Sequence, residues 1–256
     1  MKNFSRILQS IASLWLAVGF SAPLMGQMVI NSYRFTSGGG GTSDPYFANV
    51  VLLLHGNGSN GATTSTDQIG HTSTRQGAAQ ISTLSYRFGG ASMKFDGSGS
   101  AFTYGSGSDW AFGTGDFTVE FCCNFNTAPT GAVTFLSNYS GWSFMWRNDA
   151  GAGLYLYYGN AQMAKGGTWT PSTSTWYYLV VKRSSGAVSF WIDGVKTGTD
   201  TTVSTSFVDV STLAVGALPF SGSYSQSVNG WIDEVRVTKG VARDVSVVPT
   251  GEYPNF

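Results

Sequence analysis

The pattern of apolar and polar positions divides the chain into three parts. Residues 1–27 contain one apolar segment, and residues 28–45 form a polar linker rich in Gly and Ser. From residue 46 to residue 256, short apolar runs alternate with clusters of Gly, Ser, Asn and Asp. Such spacing is typical of β-strands joined by turns. The sequence therefore predicts a β-rich domain over residues 46–256, preceded by a flexible connection.

The clearest strand is residues 117–125, where odd-numbered positions are apolar and even-numbered positions are mostly polar. Asp193 and Gly194 separate two further strands and predict a two-residue hairpin of type I′. About a dozen strands follow one another without crossover helices, which predicts antiparallel pairing in a two-sheet jelly-roll sandwich. The other strands are predicted at 50–54, 92–97, 101–104, 132–137, 142–147, 154–158, 176–182, 188–192, 213–217 and 231–238.

Composition narrows the function classes. Only 11% of residues are charged, the 14 basic and 14 acidic side chains cancel, and no basic block occurs, which argues against binding to nucleic acid. The three glutamates, Glu120, Glu234 and Glu252, are too few for a helix-rich protein. Cys122 and Cys123 are neighbours on a predicted strand, so they point to opposite faces and form no ordinary disulfide. Cys123 is expected in the core.

The first 27 residues predict a hydrophobic, amphipathic helix with two interpretations. Lys2 and Arg6 precede the apolar segment, as in a signal peptide, although the cleavage site is poor. Alternatively, the helix is retained and docks on a partner protein. Its apolar stripe contains Ile7, Ile11, Leu14, Trp15 and Val18.

Six segments together resemble a known superfamily. They are VLLLHGNG (51–58), SMKFDG (92–97), FGTGDFTVEF (112–121), WYYLVVKR (176–183), FWIDGV (190–195) and GWIDEVRVTKGVAR (230–243). In this order they resemble the concanavalin A-like lectin/glucanase superfamily, and within it the laminin-G-like jelly rolls. The last segment is most similar to the version found in virion proteins of tailed bacteriophages. The resemblance covers about residues 46–256 and implies a sugar-binding or structural module on a particle surface.

Catalytic patterns are missing from the sequence. Glucanases of this superfamily carry a Glu-x-Asp-x-x-Glu pattern, and the nearest candidate, Asp233-Glu234, lacks the first Glu. The protein is therefore predicted not to be an enzyme. Asp233 and Glu234 are expected to hold backbone or to pair with Arg236 near the sheet edge. His55 is expected to be a strand-end residue with a satisfied hydrogen bond.

Two kinds of ligand are considered. Laminin-G-like relatives often hold Ca²⁺ through Asp side chains, which makes Asp96 and Asp116 the candidate ligands, with Asp109 and Asp149 also in loops. No other cofactor is expected. A sugar would stack on aromatic rings and bond to amides and hydroxyls, although half of the alternating aromatics must face the core. The aromatic candidates are Trp142, Trp146, Tyr155, Tyr157, Tyr158 and Trp169.

Two functional hypotheses remain. The first is a non-enzymatic surface or appendage protein of a tailed-phage virion (tail, fibre or capsid decoration) attached through residues 1–27. Its partners would be other virion proteins, copies of itself in a symmetric assembly, and cell-surface glycans. The alternative is a secreted or cell-surface bacterial lectin whose signal peptide is removed.

Overall fold

The computed structural model describes residues 43–138 and 140–256. The predicted N-terminal helix and its stripe of Ile7, Ile11, Leu14, Trp15 and Val18 lie outside the described residues, as does most of the predicted linker. Within the described part, helical structure is limited to two single 3₁₀ turns at Phe47–Asn49 and Ser108–Trp110. In this same part of the chain, no helix has the length and apolar character that crossing a membrane requires.

Seventeen strands make up the described chain. They are β1 (Val50–Leu54), β2 (Ser73–Gln76), β3 (Gln80–Ser82), β4 (Ser92–Asp96), β5 (Ala101–Tyr104), β6 (Phe117–Phe125), β7 (Ala132–Ser137), β8 (Trp142–Arg147), β9 (Gly153–Tyr158), β10 (Ala161–Thr168), β11 (Trp176–Ser184), β12 (Ala187–Ile192), β13 (Val195–Thr202), β14 (Leu213–Val215), β15 (Leu218–Phe220), β16 (Ser223–Ser225) and β17 (Asn229–Lys239). The predicted strands recur with bounds that differ by a few residues at most. The sequence did not predict the short or polar strands β2, β3, β10, β15 and β16.

The strands form two large antiparallel sheets and one small hairpin. The eight-stranded sheet has the order β13-β12-β11-β6-β17-β4-β3, and β1 pairs in addition with β17. The seven-stranded sheet has the order β10-β9-β8-β7-β14-β5-β2, and β15 and β16 pair with each other. This arrangement confirms the prediction of an all-β, two-sheet antiparallel sandwich.

Strand β6 lies in the middle of the eight-stranded sheet and is buried on both faces. Its odd-numbered residues pack in the core between the sheets, as the alternation predicted. There the ring of Phe121 lies 5.1 Å from that of Phe135 and 5.5 Å from that of Phe144, both on the opposite sheet. On the outer face of β6, Cys122 packs against Tyr178 and Val245. Both cysteines are buried and free, as predicted.

Two local predictions are settled by the strand geometry. Asp193 and Gly194 have φ values of 49° and 76°, which fits the predicted type I′ turn between β12 and β13. Strand β17, however, lies between β6 and β4. The expectation that Asp233, Glu234 and Arg236 lie near a sheet edge is therefore wrong, because pairing with β1, β4 and β6 places their strand inside the sheet.

Candidate functional site

The outer face of the eight-stranded sheet carries two tryptophans on either side of one asparagine. In the strand register, Asn124 of β6 lies opposite both Trp176 of β11 and Trp231 of β17. Lys94 of β4 lies opposite Trp231 and continues the line. We call Trp176, Asn124, Trp231 and Lys94 the tryptophan row. Its two indole rings and its lysine are half-buried, whereas Asn124 is 4% exposed.

Strand alternation explains why the row points away from the core. Asn124 belongs to the even-numbered face of β6, opposite the core residues of that strand. Ile232 faces the core, so its neighbour Trp231 faces outward. Trp176 packs against the apolar cluster on the outer face that includes Cys122 and Tyr178. The row is therefore anchored on its inner side and reaches solvent on its outer side.

Two polar atoms of the row have no hydrogen-bond partner in the part of the chain that the structure describes. Oδ1 of Asn124 and Nε1 of Trp231 are buried, and no described residue pairs with either atom. Buried polar atoms are nearly always hydrogen-bonded, and leaving one without a partner costs about 1–3 kcal/mol. Here an acceptor and a donor are left over on two residues that face each other across neighbouring strands. A hydroxyl group, which both donates and accepts, could satisfy both.

Asp233 supports the row from the next position along the outer face. Its Oδ2 accepts hydrogen bonds from the backbone N–H groups of Arg87 at 2.7 Å and Phe88 at 3.1 Å. Burial raises the pKa of Asp233 to about 7, and these backbone hydrogen bonds act in the opposite direction. The prediction that Asp233 holds backbone is confirmed, and its role is to fix the loop before β4.

Glu234 binds the C-terminal segment and His55, not Arg236 as one of the alternatives predicted. It lies in a bulge of β17 with a left-handed φ of 51°. Its carboxylate contacts Nδ1 of His55 at 2.8 Å and accepts the backbone N–H of Tyr253 at 2.8 Å. Nε2 of His55 lies 2.7 Å from Oδ1 of Asn255, so the predicted satisfied strand-end histidine is confirmed. Burial opposes the charged imidazole, but Glu234 outweighs it and raises the pKa of His55 to about 9.

His55 and Glu234, together with Glu252, form the only group of three metal-ligating side chains among the described residues. Donor atoms of His55, Glu234 and Glu252 all lie within 4.8 Å of one another. The hydrogen bonds to Tyr253 and Asn255 already occupy Glu234 and the second nitrogen of His55. The cluster therefore acts as a clamp that holds the last residues against the sheet.

Arg236 pairs with two other carboxylates. Its Nε donates to Glu120 at 2.9 Å and its Nη1 donates to Asp44 at 3.1 Å. Arg243 makes a bidentate bond to Asp44 at 2.9 and 2.8 Å. The hydroxyl of Tyr178 donates to Glu120. All the carboxylates in this buried network are therefore committed to structural partners.

The aromatic candidates from the sequence lie on strands of the seven-stranded sheet and in the segment after β10. Trp142, Trp146 and Tyr155 are at most 1% exposed, which corrects their selection as ligand contacts, because a buried ring offers no face to a sugar. The indole N–H groups of Trp142 and Trp146 donate to the carbonyls of Trp110 and Trp169. Tyr157, Tyr158 and Trp169 are half-buried.

The candidate calcium ligands bind backbone groups of turns. Asp96 Oδ1 accepts the N–H of Ser98 at 2.9 Å, and Asp116 Oδ1 accepts the N–H of Ser185 at 2.7 Å. Neither belongs to a group of three metal-ligating side chains within residues 43–138 and 140–256. Asp109 contacts His71, and Asp149 pairs with Arg147.

The surface of the described residues includes two hollows. The first, of about 360 Å³, lies beside the β15–β16 hairpin and is lined by Ser106, Ser211, Thr212, Pro219, Gly222, Ser223 and Tyr224. The second, of about 270 Å³, lies where the chain crosses between the sheets after β6. We call this second hollow the end cleft. Its lining includes Thr127, Ala128, Thr130, Gln226 and Asn229.

A family model described as Concanavalin A-like lectin/glucanases superfamily matches residues 96–245. The chain belongs to this superfamily. The matched range covers more than half of the 256 residues and includes β6 to β17. The laminin-G-like resemblance is therefore confirmed, whereas its link to tailed bacteriophages stays a prediction. A comparison with the sequences of curated proteins finds no match.

Solved structures share the concanavalin A-like fold at low sequence identity. Domain 4 of AbnA, a GH43 extracellular arabinanase from Geobacillus stearothermophilus, in complex with arabinotriose, has a TM-score of 0.57 at 16% identity, covering 77% of this chain and 98% of that one. Trypanosoma rangeli sialidase in complex with sialic acid has a TM-score of 0.55 at 15% identity, covering 78% and 32%. A botulinum neurotoxin type C structure has a TM-score of 0.55 at 14% identity, covering 77% and 49%. The chain thus spans about a third of the sialidase and half of the toxin chain.

Proposed function

We propose that this concanavalin A-like domain binds carbohydrate on the tryptophan row. The observation that carries the proposal is the pair of half-buried indole rings flanking an amide, with one donor and one acceptor that no residue of the described chain pairs. Aromatic faces pack against the apolar face of a sugar ring, and amide and indole N–H groups fix its hydroxyls. A sugar hydroxyl that accepts from Trp231 and donates to Asn124 would satisfy both atoms. The half-buried Trp231 ring has to swing outward to admit it.

Structural neighbours add support at the level of ligand class. The AbnA domain was solved with arabinotriose and the sialidase with sialic acid. Cell entry of botulinum neurotoxin type C depends on interaction with two ganglioside molecules. These ligands belong to those proteins, and they make sugars the first class of compound to test here.

The domain is proposed to bind without catalysis. Glycoside hydrolysis uses two carboxyl groups on either side of the scissile bond. Glu120, Asp233 and Glu234 are each at most 1% exposed and are held by arginine, backbone or histidine partners. Their burial and these partners support the proposal of binding without hydrolysis.

The biological setting that we propose is the surface of a tailed-phage virion. It rests on the residue resemblance of 230–243 to virion proteins and on the low charge and hydroxyl-rich composition. In this setting, residues 1–27 attach the protein to the particle and other copies or virion proteins are its partners. A secreted or cell-surface lectin remains the alternative.

A glycan array with matched tryptophan variants tests sugar binding. Trp176→Ala and Trp231→Ala each remove one ring of the row, and we expect the affinity for the strongest glycan to fall about tenfold or more, equivalent to about 1.4 kcal/mol. Trp191→Ala is the control, because Trp191 is also half-buried on the same outer face but lies outside the row. No binding by the wild-type domain, or equal losses in all three variants, would contradict the proposal.

Mass spectrometry separates the two settings. A virion protein is recovered from purified particles with residues 1–27 intact. A secreted lectin is recovered from the medium or cell surface with a new N-terminus after the apolar segment.

A further inference from the structure

We infer that the sugar site continues from the tryptophan row into the end cleft, so that the ligand is an uncharged oligosaccharide and not a single terminal sugar. The inference rests on the proposed function and names the class of ligand. It joins two features that lie on different parts of the surface but share one strand, β17.

Asn229 connects the two features. It lies two residues before Trp231 on β17, so both side chains point to the same face of the sheet, about 7 Å apart along the strand. Asn229 also lines the end cleft. Nδ2 of Asn126 donates to Oδ1 of Asn229 at 3.3 Å, which orients the amide so that its own N–H groups face away from Asn126. The row runs across the strands, whereas Asn229 lies along β17, so a sugar chain reaches the Asn229 amide and the end cleft by following β17 from the Trp231 ring.

The end cleft has the size and lining for a further sugar unit. Its volume of about 270 Å³ is just below the roughly 300–1,000 Å³ of ordinary small-molecule sites, which suits a small part of a longer ligand. Pro129 and Val133 supply apolar surface, and Thr127, Thr130 and Gln226 supply hydroxyl and amide groups.

Charge defines the ligand class. Among the described residues, no Asp, Glu, Lys, Arg or His lines the cleft. In the row the single charged residue is Lys94, and the neighbouring Asp96 carries the opposite charge on the same strand. A neutral sugar forms hydrogen bonds there without losing the hydration of an ionised group, whereas a uronic or sialic acid in the cleft would lose that hydration without a cationic partner.

The test compares ligand length and cleft access. The full chain is assayed on neutral gluco-, galacto-, manno- and arabino-oligosaccharide ladders from monosaccharide to hexasaccharide, with oligogalacturonides as the charged series. Titration calorimetry then measures the affinity for the best ladder with wild type and two variants. Ala128→Trp fills the cleft from an exposed position. Ala161→Trp is the control, because it makes the same change at an exposed position on β10.

We expect wild type to bind the tetrasaccharide about tenfold or more tightly than the monosaccharide. Ala128→Trp should lose this gain and keep the monosaccharide affinity, and Ala161→Trp should behave as wild type. Equal affinity for short and long sugars, a gain that survives Ala128→Trp, or preference for the charged series overturns the inference and leaves sugar binding by the row intact. No binding to any ladder overturns the proposed function and the inference together.

Discussion

His55 and Glu234 form a buried pair whose protonation links pH to the attachment of the C-terminal segment. The imidazole is 6% exposed and contacts Glu234 on one side and Asn255 on the other. Its pKa rises from 6.5 to about 9 on folding. Because the folded protein holds this proton more tightly than the unfolded chain, the stabilisation is fully present below about pH 6.5 and is lost as the pH rises through about 9.

The His55→Gln variant tests this linkage. We expect wild type to lose about 2–3 kcal/mol of unfolding free energy between about pH 6.5 and about pH 9.5, and the variant to lose much less. Urea unfolding at both pH values measures the difference. The variant should keep a small dependence of stability on pH, because Asp67 and Asp109 also raise the pKa of His71 against the effect of burial. A variant with the wild-type slope would show that the pair does not carry the effect.

The role of a residue was predictable where its type and its neighbours in the sequence allow one interpretation. His55 at the end of β1, the free cysteines and the backbone contact of Asp233 followed from local pattern. The tryptophan row did not, because Trp231 is followed by Ile232 and Trp176 by Tyr177, so hydropathy does not tell which neighbour faces the core. Only the register of β6 with β11 and β17 brings the two rings to Asn124.

The hairpins on either side of β12 offer a controlled test of turn geometry. Gly186 and Gly194 each occupy a left-handed position, with φ values of 81° and 76°. A Cβ added at Gly186 meets nothing within 4 Å, whereas one at Gly194 would lie 2.5 Å from the carbonyl oxygen of Ser246. The two sites therefore share the backbone strain and differ in a clash with the C-terminal segment.

Alanine substitution at the two turns should separate these effects. We expect Gly186→Ala to lower the unfolding free energy by about 1–2 kcal/mol through the left-handed backbone alone. Gly194→Ala should cost about 1–3 kcal/mol more, because the segment around Ser246 has to move. Thermal and urea unfolding of both variants measure the gap, and equal losses would mean that the segment adjusts freely.

Strands with strong apolar alternation were predictable from the sequence, and short or polar strands were not. Residues of β6, β7 and β8 were assigned with the observed bounds, because each contributes a full apolar face to the core. By contrast, β2 is polar, β10 contains Gly166 and Gly167, and β15 and β16 are three residues each. These strands exist because neighbouring strands pair with them, and their own sequences do not specify them.

At the scale of the whole molecule, one buried ion network joins both ends of the described chain. Asp44 binds Arg236 and Arg243, and its backbone N–H donates to the carbonyl of Phe256 at 2.7 Å. The guanidinium of Arg236 lies 3.8 Å from the centre of the Tyr253 ring. The sequence predicted a polar outer face on β6 but not that the C-terminal segment covers it. Two of the partners of Glu120, Arg236 and Tyr253, lie more than 100 positions away along the chain.

Asp44→Asn should therefore loosen both ends at once. The Asp44 side chain is 2% exposed, and removing its charge leaves Arg236 and Arg243 with less compensation in a buried site. We expect a loss of about 3 kcal/mol in unfolding free energy, as is usual when one partner of a buried pair is removed. Asp200→Asn is the control, because the Asp200–Lys196 pair is 46% and 43% exposed and should contribute less than about 1 kcal/mol.

Hydrogen exchange should show faster exchange over residues 250–256 in Asp44→Asn alone, because the chain end loses its anchor while the central strands keep theirs. If the two variants lose equal stability, or if exchange rises evenly over the domain, the network does not hold the ends together.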